Sequence, residues 1–106
     1  MALEVNNENL AEVLAAKTLT VLQFSAEWCG PCKMLTPVML KLADENSDKD
    51  LTIGKVNVDT NSEIGVKYGV RNIPTLVFLK NGVEVDRTTG VQGKEALQTK
   101  INALLN

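Results

Sequence analysis

The chain has 106 residues, a formal net charge of −2 and no histidine. Hydrophobic residues make up 44% and charged residues 23%, values typical of a folded globular domain and not of a disordered chain. The slightly acidic balance offers no basic surface for nucleic acid or for an anionic membrane. Without histidine, this chain alone cannot build Ser-His, Cys-His or His-ligated metal chemistry.

The apolar residues are distributed as in a single domain and not as in a membrane protein. No apolar run approaches the roughly 20 residues that a membrane span needs. The N-terminal stretch MALEVNNENLAEV carries acidic residues and lacks the basic segment of a secretory signal. We therefore expect one domain over residues 1–106, with no membrane span and no secretory signal.

Short apolar runs alternate with segments of helical periodicity, the pattern of strand-helix-strand units around a largely parallel sheet. In chain order, the pattern predicts a strand over residues 2–5, a helix capped by Asn7, a strand over 18–26, a helix over 31–46, a strand over 51–59, a helix over 61–68, strands over 75–80 and 83–88, and a helix over 94–105.

Three residues refine this order. Pro37 lies inside the second helix and is expected to kink it, because proline removes one backbone hydrogen bond. Gly69 is expected to end the third helix. Asn81-Gly82 is a strong hairpin signal, so the last two strands should be antiparallel. The predicted fold class is therefore α/β, with a mixed sheet of about five strands and helices on both faces.

The motif that carries chemistry is WCGPCK, residues 28–33, at the junction of the central strand and the second helix. Reactive groups collect beyond the carboxyl ends of strands in open α/β sheets. A helix N-terminus also stabilises a thiolate. Pro31 suits the first turn, where its missing N–H would be unpaired. Cys29, at the outer end of the helix, is then the better-placed nucleophile, and Cys32, one turn inward, is the resolving thiol.

Besides a structural disulfide, three interpretations of the two cysteines compete. They could be inert core residues, or they could share a metal site between two subunits, since zinc normally takes four ligands and this chain offers two thiols. A structural disulfide is a poor explanation because so small a ring adds little chain-entropy stabilisation. In this strand-helix context the C-x-x-C spacing favours a redox dithiol, which is the interpretation we adopt.

The segments FSAEWCGPCKMLTP, KVNVDTN, YGVRNIPTLVFLKNG and the final TTG resemble the thioredoxin family, in order and across essentially the whole chain. The resemblance implies a thioredoxin-like fold and a cytoplasmic, monomeric electron carrier that reduces disulfides in other proteins. It also implies recycling by a thioredoxin reductase, no cofactor or metal of its own, and no nucleic-acid or membrane partner. Cys29 would attack the substrate disulfide, and Cys32 would release the product and leave a redox-active Cys29–Cys32 disulfide.

The resemblance further implies a substrate groove beside the cysteines. Its residues would be Trp28, Ile73, Pro74, Gly90 and Val91, with the Ile73–Pro74 peptide bond cis. Gly90 would admit a peptide chain because it has no Cβ. Gly30 and Pro31, between the cysteines, lack the histidine of the more oxidising relatives, which favours a reductant.

Gln23 departs from the family pattern, in which an aspartate usually lies beneath the cysteines. We interpret it as a buried amide hydrogen-bonded within the strand layer, which leaves the deprotonation of Cys32 open. Lys55, in an otherwise apolar strand, is either a lysine that extends to solvent or, as the resemblance implies, a group near the buried end of the cysteine pair.

Two other functions stay open from the sequence. One is a superfamily member tuned for disulfide oxidation or isomerisation, which a redox potential measured against glutathione would identify. The other is a binding module that uses the groove without turnover, against which the intact cysteine pair argues.

Overall fold

The computed structural model describes residues 3–106 and, over that range, contains the predicted elements in the predicted order. Ala2, the first residue of the first predicted strand, lies outside the described residues. The strands are β1 (Leu3–Val5), β2 (Leu19–Ser25), β3 (Leu51–Asn57), β4 (Thr75–Lys80) and β5 (Val83–Thr89). The helices are α1 (Leu10–Ala16), α2 (Gly30–Glu45), α3 (Ser62–Lys67) and α4 (Lys94–Leu105).

The strands form one five-stranded sheet in the order β1-β3-β2-β4-β5. β3 pairs in parallel with β1 and β2, whereas β4 pairs antiparallel with both β2 and β5. The predicted mixed α/β sheet is therefore confirmed. Asn81 and Gly82 join the last two strands with φ of 53° and 79°, the positive values that a type I′ hairpin turn requires.

Strand β2 is the centre of the sheet, and every one of its residues is buried. Its side chains alternate between two apolar cores, because successive residues of a strand point to opposite faces. Leu22 and Phe24 pack with residues of α1 and α3, and Leu19 and Val21 pack with residues of α2 and α4. Burial on both faces explains why β2 reads as a nearly continuous apolar run.

Two predicted boundaries are wrong because asparagine side chains bond to nearby backbone. Helix α1 begins at Leu10 after Asn9, and Asn7 is not its cap. The Asn6 carboxamide accepts from the Asn9 N–H at 2.9 Å, and the Asn7 N–H donates to Asn61 in a separate loop, so residues 6–9 form a turn instead. Strand β3 ends at Asn57, whose side chain accepts from the Asp59 N–H and turns the chain.

The remaining boundaries agree with the sequence patterns to within one residue. Gly69 follows α3 with a φ of 63°, as expected of a glycine that ends a helix. Pro37 lies within the continuous helix α2, and the kink stays a prediction. No helix within residues 3–106 has both the length and the apolar character needed to cross a membrane.

Candidate active site

The two cysteines lie where the central strand delivers the chain to the start of α2. Cys29 occupies the N-cap position, and Cys32 lies in the first helical turn. Their sulfurs are joined in a disulfide, with the Cα atoms 5.3 Å apart. The Cys32 N–H donates to the Cys29 sulfur at 3.2 Å, so a backbone dipole of the helix points directly at that sulfur. Such a donor favours a thiolate at Cys29 when the bond is reduced.

The two sulfurs differ in access. Cys29 is 5% exposed, whereas Cys32 is completely buried. Ala26, Val58 and Ile73 pack around the pair and form a small apolar cluster at the edge of the sheet. An incoming disulfide can therefore reach Cys29 first, whereas Cys32 can react with a sulfur that Cys29 presents to it.

Trp28 stands beside the disulfide with 72% of its surface exposed. Its indole N–H donates to the Asp59 carboxylate at 2.9 Å, which fixes the ring against the loop after β3. Asp59 is a site residue that the sequence reasoning missed. The available signal was its position at the carboxyl end of the predicted strand 51–59, since the carboxyl ends of neighbouring parallel strands meet at the same end of the sheet.

The loop before β4 reaches the disulfide, since Ile73 packs against both cysteines. The Ile73–Pro74 peptide bond is cis, as the resemblance implies. The Gly90 N–H donates to the Pro74 carbonyl at 2.8 Å, so the two loops lie side by side. Gly90 has a φ of 80°, and a Cβ built on it would meet no atom within 4 Å. Open space therefore lies over this backbone, next to the half-exposed Val91.

A depression of about 320 Å³ opens beside Trp28. It is lined mainly by apolar side chains, among them Val58, Val66, Val70 and Ile73. Val66 is 80% exposed, so this part of α3 extends the apolar surface around Trp28. Gly30 and Pro31 are also exposed at the turn between the cysteines.

Gln23 lies in β2 against α2 and is 2% exposed. Its amide nitrogen donates to the Thr36 hydroxyl at 3.3 Å, and that hydroxyl donates to the Cys32 carbonyl at 3.0 Å. The expectation of a bond within the strand layer is therefore wrong, because the partner belongs to α2. Thr36 is the second site residue that the sequence reasoning missed, although it lies four residues after Cys32 on the same helix face.

Lys55 is the residue of β3 that pairs with Gln23, so both side chains point to the face of the sheet that α2 covers. Together with Thr36 they border a void of about 10 Å³. Lys55 is partly buried, which agrees with both interpretations offered from the sequence. The structure places it next to Gln23.

A family model described as Thioredoxin matches residues 1–103. The thioredoxin of Chlamydia caviae is 47% identical over 98 residues, which cover 92% of this chain and 93% of the relative. The thioredoxin of Bacillus subtilis is 52% identical over 79 residues, 74% of this chain and 75% of the relative. A solved structure of a mutant thioredoxin from Halobacterium salinarum NRC-1 superposes with a TM-score of 0.91 at 35% identity, covering 99% of this chain and 91% of the other.

Proposed function

The chain belongs to the thioredoxin family and is a thiol-disulfide oxidoreductase, and from that premise we propose that it reduces disulfides in other proteins with Cys29 as nucleophile and Cys32 as resolving thiol. The observation that carries the proposal is the Cys29–Cys32 disulfide at the start of α2. A hydrogen bond from the helix to the Cys29 sulfur supports the assignment of roles, as does the complete burial of Cys32.

The reaction transfers two electrons in two exchanges. In the first, the Cys29 thiolate attacks one sulfur of the substrate disulfide, and the other substrate sulfur leaves as a thiolate. In the second, Cys32 gives up its proton and attacks the Cys29 sulfur, which breaks the bond between Cys29 and the substrate. The second substrate thiolate leaves, both substrate thiolates take up protons, and the Cys29–Cys32 bond remains.

The groove beside Cys29 would hold an extended segment of the substrate. Gly90 has open space over its backbone, and Trp28, Ile73 and Val91 add apolar surface around it. Pro74 is buried and its carbonyl accepts from the Gly90 N–H, so it would shape the groove from beneath. Gln23 and Lys55 would act from beneath the cysteines as supporting residues. A groove of this kind favours protein substrates, since its contacts extend beyond the reacting sulfurs.

The oxidised protein needs a source of two electrons to act again. Proteins of this family typically act with a thioredoxin reductase, which is the electron donor in this proposal. A reducing compartment such as the cytoplasm suits that cycle. The chain would act as a single, monomeric domain over residues 1–106.

The test is an insulin-disulfide reduction assay driven by NADPH and a thioredoxin reductase. The wild-type protein should precipitate the reduced insulin chains and consume NADPH, and Cys29→Ser should do neither. If insulin reduction by Cys29→Ser equalled that of the wild type, the assignment of the nucleophile would be wrong. If the wild type were inactive with the reductase but active with dithiothreitol, only the proposed electron donor would be wrong.

A further inference from the structure

The buried amide of Gln23 lies on the face of the sheet that α2 covers, where Lys55 of β3 is its neighbour. Leu19 and Val21 precede it on the same face of β2, and both are fully buried. A polar group in such a place destabilises the fold unless it forms hydrogen bonds. Gln23 donates its bond to Thr36 across the boundary between the sheet and α2, so the bond ties the helix to the central strand at this point.

Thr36 passes that connection on to Cys32. Its hydroxyl accepts from Gln23 and donates to the Cys32 carbonyl, and each bond uses a different part of the hydroxyl. The Cys32 N–H is held as well, since it donates to the Cys29 sulfur. The N–H and the carbonyl of the resolving cysteine therefore each have a side-chain partner, Cys29 and Thr36.

Pro37 makes this attachment more important. Because proline has no N–H, the Lys33 carbonyl lacks the helix bond that residue 37 would otherwise donate. The first turns of α2 thus have one bond fewer directly after Cys32. The bond from Thr36 is formed at the level where the helix ladder is weakened.

We propose that Thr36, held in place by Gln23, is a positioning residue for the second exchange, in which Cys32 attacks Cys29. The inference rests on the proposed function, because it concerns the step that releases the substrate. The attacking sulfur must approach within about 3–3.5 Å and in line with the bond it breaks, so small displacements of Cys32 slow that step. The first exchange uses only the Cys29 sulfur and does not depend on Thr36.

The two exchanges can be separated in time with a symmetric aromatic disulfide whose thiolate absorbs light. Attack by Cys29 releases one coloured thiolate, at a rate that increases with the concentration of the reagent. Attack by Cys32 releases the second, at a rate that does not. Stopped-flow absorbance at high reagent concentration therefore gives both rate constants from one reduced sample.

The variants are Thr36→Val, which keeps the shape of the side chain and removes the hydroxyl, and Thr36→Ser, which keeps the hydroxyl. We expect Thr36→Val to slow the second release about five- to tenfold, the size of effect that one lost hydrogen bond gives on a single step. The first release should change less than twofold. Thr36→Ser should restore the second release to within about twofold of the wild type.

Gln23→Met is a second test of the inference, and it does not depend on how well Thr36→Val folds. It removes the support of Thr36 and leaves the threonine in place, so the second release should slow by about two- to threefold. Wild-type rates of second release in both Thr36→Val and Gln23→Met would overturn the inference. Equal slowing of both releases would also overturn it, since that is the result of a general loosening of the fold. Failure of the insulin assay would refute the proposed function without affecting this comparison, which uses a small disulfide.

Discussion

An acidic side chain at position 23 should make the stability of the protein depend strongly on pH. Gln23 is 2% exposed, and its amide donates a bond that a carboxylate cannot donate. The Thr36 hydroxyl already donates to Cys32, so a carboxylate in Gln23→Asp would gain no donor there without breaking that bond. Burial without a donor raises the pKa of a carboxyl group above its unfolded value of about 3.9.

The sign of the pH effect follows from proton binding. Between the unfolded and the raised folded pKa, the folded Gln23→Asp protein binds more protons than its unfolded chain, so its stability falls as pH rises. Full burial can shift a carboxyl pKa by about 3–5 units, and the neighbouring Lys55 cation reduces the shift, so we take about 2 units. The loss is then about 2.7 kcal/mol at neutral pH, of which about 1 kcal/mol is present at about pH 4.5.

Gln23→Asn is the matched control, because asparagine has the shape of aspartate and does not titrate. Urea unfolding of both variants at about pH 4.5 and about pH 7.5 should give a stability difference that grows by close to 2 kcal/mol, at the expense of Gln23→Asp. A difference that stays constant across this range would refute the reasoning. It would mean that Lys55, or water that enters the site, stabilises the carboxylate in the folded protein as well as bulk water does in the unfolded chain.

Three further outcomes test separate parts of the site and fold. Brief treatment of the reduced protein with iodoacetamide at neutral pH should label Cys29 before Cys32, as read by peptide mass spectrometry, and preferential labelling of Cys32 would reverse the two roles. Gly90→Ala should slow reduction of insulin more than reduction of a small disulfide. It should also destabilise the fold by about 1–2 kcal/mol, because φ at this position is positive. Gly93→Ala, where φ is −74°, is the control and should leave both rates unchanged. The Lys100 ammonium donates to Asp86 and holds the pKa of that carboxyl below its ordinary value. This pair therefore stabilises the fold above the unfolded pKa of about 3.9 and loses the effect as pH falls through the folded pKa. Asp86→Asn should weaken the acid dependence of unfolding, and an unchanged profile would show that the pair contributes nothing.

The sequence predicted the fold well because its strongest signals are local. The apolar run of β2 and the Asn81-Gly82 turn each specify a conformation through a few adjacent residues. The cysteine pair was equally easy to interpret, because its spacing and its place between a strand and a helix together indicate a redox dithiol. The cap of α1 was harder to predict, because Asn6, Asn7 and Asn9 are all good capping residues and only their actual bonds distinguish them.

The parts of the site that the sequence did not predict depend on contacts between distant segments. Asp59 reaches Trp28 across 31 positions of the chain, and Gln23 reaches Thr36 from the sheet to a helix. The spacing of four residues in one helix lets the Thr36 hydroxyl reach the Cys32 carbonyl, but nothing local indicates that Gln23 also donates to that hydroxyl. The bond between Gln23 and Thr36 follows from the packing of α2 on β2. The pattern of apolar residues predicts which faces pack together, but it does not predict which polar atoms come within bonding distance.

The central claim is that Cys29 attacks a protein disulfide and Cys32 completes the exchange. The most direct measurement is to incubate reduced Cys32→Ser with a disulfide-containing protein, quench with acid, and map the covalent adduct by mass spectrometry. The account predicts a stable mixed disulfide between Cys29 and the substrate, which the wild type resolves and does not accumulate. Complete release of reduced substrate by Cys32→Ser, with no adduct on Cys29, would contradict it.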